Sequence, residues 1–87
     1  MESKLKINQL GNKIWKLPNG DVHRENGPAI VTNNDNKYWY INGKRHREDG
    51  PAVEYSDERK LWFLNDIEYS EQEYMKKMRL IKLEHIL

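Results

Sequence analysis

Two short segments of this chain carry residue types that can do chemistry. His23-Arg24-Glu25 and His46-Arg47-Glu48 each set an imidazole, a guanidinium and a carboxylate in consecutive positions. Two imidazoles with two carboxylates are a donor set for zinc, and a His beside a Glu is an acid–base pair. Either chemistry requires the groups to converge. The two segments are copies, however. His23-Arg24-Glu25-Asn26-Gly27-Pro28-Ala29 returns as His46-Arg47-Glu48-Asp49-Gly50-Pro51-Ala52, so that His46 stands one repeat period beyond His23. If each copy sits on its own two-stranded unit, equivalent residues lie about 10 Å apart, on a strand spacing of roughly 4.8 Å. Two imidazoles so placed do not share one zinc at about 2.0–2.1 Å. A catalytic constellation is asymmetric, whereas a motif repeated with the fold serves the fold. The expectation is no enzyme, no catalytic residue, no metal and no cofactor.

A structural role for the motif is straightforward. Asn26-Gly27-Pro28 and Asp49-Gly50-Pro51 are turn chemistry, an Asx residue ahead of a permissive glycine. His23, His46 and their arginines are expected to donate to carbonyls left free at a strand end. Arg24 and Arg47 are each expected to pair with a carboxylate beside the turn of a neighbouring unit. Contact of the motif with a ligand stays open at this point.

The elements that position these groups follow from the same period. Asn19-Gly20 recurs as Asn42-Gly43, and Trp39-Tyr40-Ile41-Asn42-Gly43 recurs as Trp62-Phe63-Leu64-Asn65-Asp66, each at the His23-to-His46 offset. Trp15 precedes Trp39 by one position more than that period, with Pro18 as the extra residue, expected to bulge out of its strand. Lys37-Tyr38-Trp39-Tyr40-Ile41 is rich in strand formers and ends in Asn-Gly, the strongest short signal for a type I′ hairpin. Alternation puts Trp39 and Ile41 on one face and Tyr38 and Tyr40 on the other. The rule stacks Trp15, Trp39 and Trp62 in a ladder along one face and leaves Phe63 on the opposite one. The third copy then breaks off. Ser70-Glu71-Gln72-Glu73 is a capping box, followed by Met78, Ile81 and His85 on one helical stripe, flanked by Met75, Leu80 and Leu83. Acidic residues at its start and Lys76, Lys77, Arg79 and Lys82 beyond suit the helix dipole.

The fold class expected is mainly β (α+β). It is an antiparallel β-hairpin repeat or meander of about six strands, with one C-terminal amphipathic helix packed on it. Residues 1–87 form a single domain, with 1–12 as an N-terminal strand or lead-in. Residues 13–69 make three repeat units, the last truncated, and 70–87 the helix. The segment "WYINGKRHREDGPAVEY", with its aromatic strand, Asn-Gly-Lys and His, resembles the MORN repeat and, more closely, variant repeats of tailed-phage and giant-virus proteins. The resemblance covers roughly residues 13–74. It implies a protein-interaction, oligomerisation or lipid-associated module, and the function expected is that of a phage or viral protein that binds and inhibits a host protein, a defence factor being one candidate. The segment after the His is longer here than in the usual repeat, which weakens any transfer of lipid binding.

Composition narrows the function further. Nine aromatic residues in 87 can offset the entropy of ordering a chain in which a third of residues are charged. A net charge of +1 lacks the bulk attraction of a nucleic-acid binder. Cysteine is absent, which excludes disulfides and thiolate chemistry and fits a reducing cytoplasm. No apolar run marks a signal peptide or membrane span, so a cytoplasmic location, the host's if the protein is viral, is expected. Tyr38, Tyr40, Arg45, Arg47, Leu61 and Phe63 are the candidate binding residues. They are expected to form an exposed aromatic and cationic patch for a protein partner, with a homodimer or nucleic acid as alternative occupants. A structural component of a larger assembly remains a further reading.

Overall fold

Short aromatic and β-branched runs punctuated by Asn, Asp and Gly make hairpins, and nine short strands result among the described residues. The computed structural model describes residues 2–86, with side-chain surroundings to residue 84. Met1 and Leu87, the outer limits of the expected lead-in and helix, and the His85 side chain lie outside the described residues. In chain order the elements are β1 (Lys4–Ile7), β2 (Lys13–Lys16), β3 (Ile30–Val31), β4 (Lys37–Tyr38) and β5 (Tyr40–Ile41). They continue as β6 (Lys44–Arg45), β7 (Val53–Glu54), β8 (Lys60–Leu64), β9 (Ile67–Tyr69) and α1 (Glu71–Ile86). An antiparallel seven-stranded sheet runs in the order β1-β2-β3-β4-β7-β8-β9, and β5 and β6 form a separate two-stranded hairpin. The strand count exceeds the roughly six expected in part because the aromatic strand of the middle unit is broken at Trp39 into β4 and β5; the short hairpin strands β6 and β9 add the rest.

Register repeats with sequence. Ile30 faces Tyr38 and, one period on, Val53 faces Leu61. Asn42 and Gly43 take φ of 50° and 81°, and Asn65 and Asp66 take 50° and 69°, so both hairpins turn in type I′ geometry. Asn19-Gly20 does not copy them. Gly20 N–H donates to Leu17 O at 2.9 Å and Leu17 N–H to Asp21 O at 2.9 Å, a longer turn with Gly20 at φ 94°. Pro18 therefore sits inside this turn rather than bulging from a strand, because its fixed φ suits the second position of a type I turn.

The turns at the opposite end of the units expose a further copy. Gly11 N–H donates to Asn8 O and Asn8 N–H to Asn12 O at 3.0 and 3.1 Å. The same pair of bonds closes residues 32–36 and 55–59, with Gly11, Asp35 and Glu58 all at positive φ. The β1 strand thus occupies the place that β3 and β7 hold in later units. Side chains lace these turns together. The Asn12 Oδ1 accepts from Asn33 N–H at 2.8 Å and the Asn36 Oδ1 from Ser56 N–H at 2.9 Å.

Two apolar clusters hold the layers. Ala52, Val53 and Phe63 are buried with Tyr38, Trp39, Tyr55 and Leu61 against them. Leu64, Tyr74 and Met78 form the second with Trp62, Tyr69 and Ile81. The helix therefore covers the Trp62–Leu64 side of the last hairpin. Ser70 caps it: Glu73 N–H donates to the Ser70 Oγ at 3.2 Å and Ser70 N–H to the Glu73 carboxylate at 3.0 Å. Hydrogen bonds from Ser70 hold the Glu73 carboxyl below its usual range.

Candidate functional site

Each His-Arg-Glu segment is tied to its own unit and to the next. His23 N–H donates to Trp15 O and His46 N–H to Trp39 O, at 3.0 and 3.1 Å. Arg24 N–H then reaches Tyr40 O at 3.1 Å and Arg47 N–H reaches Phe63 O at 3.3 Å. The imidazoles run opposite to expectation. They accept rather than donate: Asn42 N–H donates to the His23 Nδ1 at 2.9 Å, and Asn65 N–H to the His46 Nδ1 at 3.0 Å. Each ring thereby caps the hairpin of the following unit. With Nδ1 accepting, the ring proton sits on Nε2, 3.7 Å from the Glu25 carboxylate in the first copy and 2.8 Å from Glu48 in the second. Both nitrogens of His46 and the Nδ1 of His23 are hydrogen-bonded inside the fold, and no three metal-ligating side chains converge among the described residues.

The arginines lie flat on tryptophan. The Arg24 guanidinium is 3.9 Å from the Trp15 ring centroid and that of Arg47 is 3.8 Å from Trp39. Such stacking contributes about 0.5–2 kcal/mol, more as the pair is desolvated. It also replaces the expected ladder. The rings share equivalent positions, but an arginine covers each of the first two and α1 covers Trp62. Each arginine also donates to the carbonyl of its own turn, Pro28 O at 3.3 Å and Pro51 O at 3.0 Å. Beyond that the copies diverge. Arg47 pairs with Asp49 and Glu54 of its own unit, each at 2.9 Å, not with a neighbouring unit. Asn26 and Val31 stand at the equivalent positions beside Arg24, which has no carboxylate within 4.0 Å among the described residues.

Between the two loops lies a groove of about 740 Å³. Trp39 and Ile41 form its floor, the 24–27 and 46–49 segments its walls, and Lys82 reaches in from α1. Glu25, Glu48 and Asp49 line it too, so its charge is mixed: Arg47 is bound by Asp49 and Glu54 and Glu48 by His46, while Arg24 and Lys82 make no ion pair within 4.0 Å among the described residues. A smaller depression of about 300 Å³ repeats the arrangement over Trp15, between the 23–26 loop and Glu2 and Ser3.

The expected patch is distributed differently. Phe63 is 4% exposed, a core residue rather than a contact surface, with the Arg45 guanidinium 4.2 Å from its ring centroid. Arg45 is held there by Asp66, whose Oδ1 accepts from both its backbone N–H and its Nε at 2.9 Å. Those hydrogen bonds hold the Asp66 carboxyl below its usual range. Tyr38 and Leu61 are half-buried against the Ala52 cluster, and Tyr38 meets Tyr55 edge to face at 6.3 Å. Burial, helped by Tyr55 and Tyr40, raises the Tyr38 phenol above its ordinary value. Tyr40 is half-buried on β5. Of the six candidates only Arg47 lines the groove. Sequence reasoning misses Ile41 and Lys82 as contacts and leaves Arg24, within the repeated motif, and Trp39, within the tryptophan series, outside the candidate patch, although the repeat offset relating Arg24 to Arg47 is present in the sequence. No protein-family profile, curated protein or solved structure matches this chain.

Proposed function

We propose that this chain is a non-enzymatic protein-binding module whose docking site is the groove over Trp39. The observation that carries the reading is the contrast between the twin arginines. Arg47 is bound by two carboxylates of its own unit, while Arg24 faces the groove with Asn26 and Val31 in their places. A cleft with a Trp floor, an apolar Ile41 and two cations outside any ion pair among the described residues, beside the carboxylates of Glu25, Glu48 and Asp49, includes the Trp and Arg that are enriched in binding hot spots. The likeness to repeats of tailed-phage and giant-virus proteins points to a host protein as the partner. Nucleic acid is disfavoured, because Arg45 and Arg47, two of the cations that would contact phosphates, are bound by Asp66, Asp49 and Glu54.

The test is affinity capture from a nuclease-treated lysate on the immobilised full chain. A protein retained by the wild type and lost with Lys82→Glu or Arg24→Glu, while Lys4→Glu retains it, supports the reading. Capture that survives both groove variants, or that vanishes with nuclease alone, overturns it. Lys82 is exposed on α1, so its reversal tests the groove without disturbing the Trp15 stack.

A further inference from the structure

The repeat supplies its own example of what fills such a groove. Trp62 and Leu64 lie one repeat period beyond Trp39 and Ile41, the floor of the open groove. Arg47 and Gly50 stand in the same relation to Arg24 and Gly27 on its outer wall. In that third position the groove is occupied by Tyr74 of α1. Its ring packs on Trp62 and Leu64, its hydroxyl donates to the Arg47 carbonyl, and Gly50 N–H donates to it at 3.3 Å. All four groups that hold Tyr74 therefore have counterparts lining the open groove.

The Arg24 carbonyl and the Gly27 N–H, both half-exposed at the groove, make no hydrogen bond among the described residues and stand where the Arg47 carbonyl and the Gly50 N–H meet Tyr74. Spacing agrees as well. Two strands advance the sheet by roughly 9.6 Å, and packed helices lie about 8–10 Å apart. A helix in the open groove would thus lie against the flank of α1. Lys82 already projects from that flank into the groove, and Met75, two turns earlier on the same stripe, is 47% exposed.

Resting on the docking reading above, we infer that the partner enters as an amphipathic helix with a tyrosine in its first turns. Its phenol takes the Gly27 N–H and the Arg24 carbonyl, as Tyr74 takes Gly50 and Arg47. Apolar residues four and seven positions later follow on the same stripe, as Met78 and Ile81 do in α1. Acidic side chains on its flanks meet Arg24 and Lys82.

The probe is a synthetic peptide of residues 70–86, titrated into the ¹⁵N-labelled full chain in the millimolar range. The tethered α1 holds the third groove at an effective concentration that free peptide does not match, so the open groove fills first. The expected result is a saturable shift of the Gly27 amide with Gly50 unmoved. A Tyr74→Phe peptide should bind about tenfold more weakly, as loss of a phenol shared by two backbone groups predicts. A shift confined to Gly50, no shift at Gly27, or equal binding by the Phe peptide each overturns the inference. These results are separable from the capture experiment. A lysate partner that depends on Lys82 while the peptide leaves Gly27 unmoved retains the docking groove and removes the tyrosine helix.

Discussion

The His23 ring in one repeat accepts the backbone N–H of Asn42 in the next, and this bond, repeated between His46 and Asn65, couples the units. His23 is 6% exposed, and its removal takes away both a buried ring and the protein partner of the Asn42 amide at the start of a tight turn. His23→Ala is expected to destabilise the fold by about 1–3 kcal/mol. His23→Asn, whose Oδ1 can stand near the place of Nδ1, should recover part of that. Urea unfolding of the three proteins checks the order. A role confined to filling space would leave the Asn variant no better than Ala.

The Tyr74 phenol makes a second, pH-dependent tie. Burial, with the nearby charge of Asp49, pushes its pKa above the ordinary tyrosine value near 10. The folded state thus favours the neutral phenol. Its contribution is whole below about pH 10, and it is lost as pH rises because the unfolded chain ionises first. Tyr74→Phe should cost about 1–3 kcal/mol at neutral pH by leaving Gly50 N–H and the Arg47 carbonyl unpaired. It should also flatten the alkaline loss of stability. A residual slope belongs to Tyr38, which shifts in the same direction. Denaturant unfolding at pH 7 and in the alkaline range reads both effects, and an unchanged alkaline slope would contradict the assignment.

How much of this was readable from residues alone depends on whether the determinant is local. The turn at Asn42-Gly43 and the cap at Ser70 are fixed by a few adjacent residues, and both form as written. The β1 half-unit left no such signature. Residues 8–12 and 55–59 share a backbone path but almost no residue types, because only the positive φ of Gly11 and Glu58 and the hydrogen bonds are common. Phe63 alternates away from Trp62 as strand geometry requires. Its burial came from Arg45 folding over it and from Ala52 and Val53 in the neighbouring unit, contacts beyond the reach of periodicity. The groove is likewise a relation between two copies, and copies read one at a time suggest a motif, not a cleft.

Charge at Arg24 separates stability from binding. Asn26→Asp would give Arg24 the partner that Asp49 gives Arg47, at an exposed position where an ion pair is worth about 0–1 kcal/mol. A small rise in melting temperature should accompany weaker capture of any acidic partner, since the groove would keep Lys82 as its one unpaired cation among the described residues. Thermal melts and the capture experiment with this variant check the pair of outcomes. Stronger capture would mean that the partner is not acidic at this point.

If the repeat unit is the true building block, the chain should accept another. Inserting a second copy of residues 23–45 after Arg45 adds one hairpin, one His-to-Asn tie and one buried alanine equivalent to Ala29. Units in such arrays interact mainly with their neighbours, so an inner copy extends the sheet without disturbing either end. The lengthened protein should fold cooperatively, melt at a higher temperature and show a denaturant slope larger by roughly a quarter, in step with the added surface. An insertion lacking Tyr40 is the control. Shortening the strand by one residue turns every later side chain to the opposite face and parts the following His from its Asn. That variant should fail to fold cooperatively. If it behaves like the full insertion, the hydrogen bonds between copies are incidental, and the groove has no reason to recur.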